Sequence, residues 1–157
     1  MPIYERIKAN TLSGKNPLTG IDDAASLDAV VSILRGEFAT LLQIWSICNS
    51  AIRHHEDGQI ASVQDDPEIT NIILKHTAGY WSKLSPAGAQ IHQHTADLES
   101  QHSTMSFNEL AFYANEATTI RRVLMTEVNR LTFHPAGIIG KSNVPLVTLS
   151  AASCFGA

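Results

Sequence analysis

The chain has 157 residues, of which 44% are hydrophobic and 17% are charged. This is the composition of one globular domain with a substantial core, and it excludes a disordered or fibrous protein. Eleven basic and 15 acidic side chains give a net charge of −4, and the basic residues are scattered, so charge does not indicate a nucleic-acid partner. An acidic protein can still line a nucleic acid when its few arginines converge after assembly.

Compartment and redox state follow from a few features. Cys48 and Cys154 are too few for a disulfide framework or a zinc knuckle, so both are predicted to be free thiols in a reducing setting. The N-terminal stretch lacks the apolar core of a signal peptide. The longest uncharged runs, 38–52 and 142–157, are shorter than the roughly 20 residues of a membrane span. The sequence therefore predicts a soluble protein of the cytoplasm or of a virion, with no membrane partner.

Residues 1–24 are predicted to form an extended N-terminal arm. The segment SGKNPLTG is a dense cluster of turn-forming residues, and no helical period runs through this part of the chain.

Residues 25–133 are predicted to form a four-helix bundle, because apolar residues recur there every three or four positions. The first helix is expected from near Ser26 to about His55, with Gly58 ending it in a left-handed conformation. The second helix is expected to begin at Pro67, with Asp66 as its N-cap.

The third and fourth helices of the predicted bundle have start signals of their own. Ser85 followed by Pro86 repeats the pattern of a capped helix start, and this third helix is expected to reach about Gln101. Ser106 and Glu109 have the spacing of a capping box, which starts the fourth helix. Short turns between amphipathic helices are typical of a bundle.

Residues 134–157 are predicted to form an extended, apolar C-terminal arm in which PLVTL suits a strand. No charged side chain follows Lys141, and a solvated tail normally avoids such a composition. We therefore expect this arm to dock on a neighbouring subunit through its five large apolar residues, Val144, Leu146, Val147, Leu149 and Phe155.

A cluster of histidines and glutamates raises the question of a metal site. The helical period turns His94 and His102 toward the core, with Glu99 at the border, and it places His76 and Glu56 on the stripes of other helices. Imidazole and carboxylate ligands inside a bundle suit zinc, iron or manganese. Glu99 and His102 are, however, the only Glu-x-x-His pair, whereas ferritin-like sites use two. Structural histidines are therefore favoured, and a metal-binding bundle protein or enzyme is the alternative.

Arg121 falls on the apolar stripe of the last bundle helix, where a guanidinium must be paired or reach an interface. Glu56, Glu99 or Glu116 is the expected partner within the bundle. A neighbouring subunit or a phosphate is the alternative.

The chain lacks a phosphate-binding loop, a nucleophile elbow and a Cys-x-x-Cys motif, so neither enzymatic activity nor a cofactor is predicted. The leading hypothesis is a non-enzymatic structural subunit that self-associates by exchanging its arms, alone or with other structural subunits. Small subunits of phage tails and virus coats share this plan, which is an analogy of fold. A chain without residues 142–157 would then be helical but monomeric. An adaptor or immunity-type module, whose arms embrace one different partner, is a further alternative.

Overall fold

The computed structural model describes residues 1–100, 105–141 and 143–156, which form five α-helices and no strand. The prediction of an all-α helical bundle is confirmed. In chain order the helices are α1 (Ile3–Leu12), α2 (Ala24–Ser62), α3 (Pro67–Ser100), α4 (Phe107–Thr132) and α5 (Val144–Ala151). α2 is the central helix, because it contacts each of the other four.

α2 begins close to its predicted start and runs past its predicted end. The Asp23 carboxylate caps it by accepting the Ser26 amide at 2.9 Å. Gly58 does not end the helix, which continues to Ser62 for a total length of about 58 Å. The turn into α3 instead uses the left-handed conformation at Gln64 and Asp65, with φ of 46° and 64°. Aspartate is one of the residues besides glycine that adopt this conformation, which suits Asp65.

α3 is one continuous helix, so the predicted division into two helices at Ser85 is wrong. Pro86 lies on the exposed side of the helix, while Leu84, Ala87 and Ile91 are buried around it. A proline inside a helix costs about 3 kcal/mol. Apolar burial on both sides of Pro86 offsets that cost and keeps the helix continuous.

α4 begins as predicted and ends before its neighbours do. Ser106 and Glu109 form the capping box, each accepting the other's backbone amide. With 26 residues, α4 is about 39 Å long. Just after it, the His134 ring lies 5.6 Å from His55 of α2 and 6.2 Å from Tyr80 of α3. The C-terminal end of α2 and the N-terminal end of α3 therefore extend beyond the end of α4.

The N-terminal arm is not extended over its first half, which is a correction to the prediction. Ile3 and Ile7 lie one turn apart, and Ile7 is fully buried, so α1 supplies a fourth helix to the packed core. The remainder of the arm turns back, with Leu18 and Ile21 also fully buried. The Asn10 side chain holds this turn by donating to the backbone carbonyls of the returning segment, 2.9 Å and 3.0 Å away.

The C-terminal arm is helical where a strand was predicted. No strand lies among the described residues, so the backbone groups of this segment are satisfied within a helix instead. Pro145 lies in the first turn of α5, where a helix does not need the missing amide. Leu146 and Phe155 are buried against the same chain. The arm is therefore docked on its own bundle.

α2 passes a test of length and composition for a membrane-spanning helix. Its most apolar 18-residue window has a mean hydropathy of 1.3. α2 is also the helix that contacts all the others, and a central core helix has the same composition.

Candidate functional sites

The structure does not gather the residues of the predicted metal cluster. His76 and Glu99 are exposed, His94 is half-buried, and His102 lies outside the described residues. His76 and His94 are on the same helix, 18 positions apart, which corresponds to about 27 Å. Within residues 1–100, 105–141 and 143–156, no group of three or more His, Cys, Asp or Glu side chains could hold a metal ion.

His94 has the surroundings of a packing residue. Its ring Nε2 is 3.9 Å from the Glu116 carboxylate, and its Nδ1 is 4.0 Å from the Asp97 carboxylate, both beyond hydrogen-bond length. Nδ1 is buried and has no hydrogen-bond partner in the described part of the chain. The imidazole packs edge-to-face against the rings of Phe38, Phe112 and Tyr113, with 5.3–5.8 Å between ring centroids.

Arg121 is buried, and the described residues pair it with Glu37, which was not among the expected partners Glu56, Glu99 and Glu116. Its Nη1 atom lies 3.2 Å from Oε1 of Glu37 on α2, and the two side chains are only 5% and 6% exposed. Its Nη2 donates to the Leu149 carbonyl of α5 at 3.2 Å. The ion pair therefore lies inside the bundle and reaches the C-terminal arm.

Ser153 completes what we call the Glu37 cluster, consisting of Glu37, Arg121 and Ser153. The Ser153 hydroxyl oxygen is 2.9 Å from each carboxylate oxygen of Glu37, and it accepts the Phe155 amide at 3.0 Å. Burial raises the pKa of Glu37, and Arg121 and Ser153 offset part of that rise. The cluster satisfies its polar groups within the chain and fastens residues 149–155 to the bundle.

Glu37 and Ser153 were not identified as site residues from the sequence. Only Glu37 could have been identified from a pattern in the sequence. The buried positions of α2 include Leu34, Glu37 and Leu41, spaced by three and four, so a carboxylate stands on the apolar stripe. A buried carboxylate needs a cation, and Arg121 is on the stripe of another helix. Ser153 lies in an uncharged tail, where nothing distinguishes it from the neighbouring small residues.

Glu56 is held between α2 and α3. It is 8% exposed and accepts hydrogen bonds from the Thr77 hydroxyl and, at 2.6 Å, from the Trp81 indole. The Arg53 guanidinium lies over the Trp81 ring, 5.3 Å from its centroid. These contacts join the two helices, and the hydrogen-bond partners of Glu56 are Thr77 and Trp81 of α3.

The five predicted arm residues divide between an inner and an outer side. Leu146 and Phe155 are buried and Leu149 is half-buried against the chain's own bundle. Val144 and Val147 are 69% and 64% exposed. α5 has no charged residue, so its outer side is an uncharged strip that presents Val144 and Val147 beside the exposed Thr148.

Two grooves flank this strip. The groove between α5 and α2 has a volume of about 760 Å³ and no charged side chain in its lining, which includes Leu42, Ile47, Val144 and Leu149. The groove between α5 and α4 has a volume of about 580 Å³, with Lys141 as its one charged lining residue beside Phe133, Leu146 and Val147. We call Val144, Val147 and the two grooves the α5 surface.

Both cysteines are buried thiols whose accessibility reports on different parts of the fold. Burial raises the pKa of Cys48 and of Cys154 to about 12, with smaller contributions from nearby Glu127 and Glu37 respectively. Thiol reagents attack the thiolate, so neither side chain should react at neutral pH while it is buried.

We expect Cys154 to be labelled at least about tenfold faster than Cys48, because release of the C-terminal arm exposes it without unfolding the bundle. The measurement is the labelling rate of single-cysteine chains, C48A and C154A, at increasing urea concentration. Cys154 labelling should depend weakly on urea, and Cys48 labelling should depend on it as strongly as global unfolding does. Equal urea dependence would mean that the arm opens only together with the bundle.

Comparisons with protein-family models, with curated proteins and with solved structures find no match for this chain.

Proposed function

We propose that this protein is a non-enzymatic assembly subunit that associates with copies of itself through the α5 surface. The observation that carries the proposal is the exposure of Val144 and Val147 on an uncharged helix between two grooves with mainly apolar linings. Contiguous apolar surface of this kind on a monomer is a frequent mark of protein interaction sites. Small helical subunits of phage and virus shells, alone or with other structural subunits, are the type of protein to which the proposal assigns this chain.

The docked arm changes the expected mode of association. Leu146 and Phe155 already fill sites on their own bundle, so a second copy can contact the outer side of α5 without exchange of arms. Burial of apolar area, at about 25 cal/mol per Å², supplies the driving force. Each copy carries a net charge of −4, and the α5 surface, whose one charged lining residue is Lys141, is a place where two such copies approach with little repulsion.

Replacing Val144 and Val147 together by serine is expected to break association through the α5 surface, so that the molar mass of the oligomer falls while the protein stays folded. Both side chains are mostly exposed, so their truncation removes little core packing. The measurement is molar mass by light scattering across a concentration series, with circular dichroism to check the helices. Deletion of residues 142–157 is a poorer test, because it also removes Phe155 and Ser153 from the core.

Leu12→Ser is the matched control, since Leu12 is 60% exposed but lies on α1. It should leave the molar mass unchanged. A double valine variant with the same mass as the unaltered oligomer would contradict the proposal. An unaltered chain that stays monomeric at every concentration would also contradict it, and would favour an adaptor that binds a different partner.

A further inference from the structure

The two longest helices form a projecting hairpin that α4 does not cover. α4 ends where Arg130 lies over the Tyr80 ring, 4.8 Å from its centroid, and where His134 contacts Tyr80 and His55. α2 continues from there to Ser62, and α3 begins at Pro67. We call residues 56–79 the hairpin tip.

The uncovered face of the tip is apolar. Ile72 lies seven residues before Gly79, and Ile69 lies 11 residues before Tyr80, so both share the face of α3 that α4 covers further along. They are 52% and 41% exposed. The tip therefore presents the same groove between α2 and α3 that α4 fills elsewhere, and no helix of the described residues lies in it.

Charge is divided along α3 and the turn that precedes it. Residues 58–68 include three carboxylates and no lysine or arginine, whereas residues 75–96 of α3 include two lysines and no carboxylate. Asp57 of α2 lies beside the basic stretch instead, because the adjacent Glu56 is hydrogen-bonded to Thr77. Glu68, Lys75 and His76 are exposed along the same stretch of α3 as the two isoleucines. The end of the tip is thus acidic, and the α3 side of the part nearer to α4 is basic.

We infer that the hairpin tips of two copies of this chain pair in antiparallel orientation about a two-fold axis near Ile72. Such an axis places residue 72−n opposite residue 72+n, so Glu68 of one copy faces His76 and the adjacent Lys75 of the other. The acidic end of each tip then meets the basic part of its partner, and Ile69 and Ile72 of both copies are buried between them. A self-complementary patch of this kind is what a two-fold contact requires.

The inferred contact is separate from the α5 surface, which lies on α5, α4 and the middle of α2, and it does not depend on the proposed function. Two distinct self-association surfaces on one chain give each copy two neighbours. Copies then link into a ring or an open filament instead of stopping at a dimer.

The first experiment replaces Ile69 and Ile72 by serine and measures sedimentation over a concentration series, in the unaltered chain and in the V144S/V147S chain. The second background isolates the hairpin contact, so failure at one surface is distinguished from failure at the other. We expect the double substitution to raise the dissociation constant at least about tenfold. Leu74→Ser is the control, because Leu74 is also 41% exposed but lies about 200° around α3 from Ile72.

The second experiment tests the orientation of the pair by charge exchange. Glu68→Lys and Lys75→Glu should each weaken association, because each places like charges opposite one another. An equimolar mixture of the two variants should restore it, since every opposed pair is again of opposite sign. The inference would be overturned if the I69S/I72S chain associated as strongly as the unaltered chain. It would also be overturned if the mixture of the two charge variants associated no more strongly than either variant alone.

Discussion

Replacing Arg121 by alanine is expected to lower the free energy of unfolding by about 3–5 kcal/mol, because it leaves the Glu37 carboxylate buried without its cation. The substitution also removes the donor to the Leu149 carbonyl, which loosens the C-terminal arm. Urea unfolding followed by circular dichroism measures the loss. Arg122→Ala is the matched control, since Arg122 is the adjacent residue and is exposed, and it should change stability by less than about 0.5 kcal/mol.

The loss of unfolding free energy in the Arg121→Ala variant should become smaller as the pH falls. Burial already raises the pKa of Glu37, and loss of the guanidinium removes the largest influence that opposes the rise. A carboxyl group whose pKa is higher in the folded than in the unfolded state destabilises the fold at any pH above the folded-state pKa. As the pH falls toward the ordinary pKa of 4.5, the group is protonated in the folded state and this destabilisation disappears. The chain with both R121A and E37Q should lack this pH dependence. A deficit that is constant between pH 7 and pH 5 would show that lost packing, not the unpaired charge, is its source.

Replacing Gly88 by alanine is expected to destabilise the protein by about 2–3 kcal/mol, because the added methyl group overlaps a fixed ring. A Cβ at this position would lie 2.5 Å from Cε2 of Trp45. The indole cannot simply turn away, since its Nε1 donates to the Leu84 carbonyl at 2.8 Å. The measurement is again the free energy of unfolding in urea.

Gly58→Ala provides a control of opposite sign. Gly58 is also inside a helix, but a Cβ at this position would meet no neighbouring atom within 4 Å. Alanine there should stabilise the chain by about 0.5–1 kcal/mol through helix propensity alone. If the two substitutions had similar effects, close contact with Trp45 would not be the reason for glycine at position 88.

Local sequence patterns predicted where helices form. They did not predict where tertiary packing keeps a helix continuous through residues that usually start a new one. Asp66 before Pro67 and Ser85 before Pro86 have the same form, yet only the first starts a helix, with Asp66 accepting the Glu68 amide at 3.0 Å. The difference is that buried Leu84 and Ala87 hold the helix together across Pro86. Burial on both sides of a residue depends on distant helices and is not visible in the spacing.

The candidate sites show the same division between local and distant information. The helical period placed His76 on an apolar stripe, and the stripe is real, but α4 ends before it covers that position. It also placed Arg121 correctly in the core. The partner could not be chosen from the sequence, because several glutamates satisfy the same requirement and only the packing of α2 on α4 selects Glu37.

The Glu37 cluster also bears on the rates of folding and unfolding. Arg121 and Ser153 are 84 and 116 positions from Glu37, whereas α2 and α3 meet across a turn of a few residues. Closing long loops costs more entropy, so the local hairpin is expected to form first and the cluster late. Interactions that are absent from the folding transition state slow unfolding without accelerating folding. The cluster should therefore lengthen the lifetime of the native state and contribute little to the speed with which it is reached.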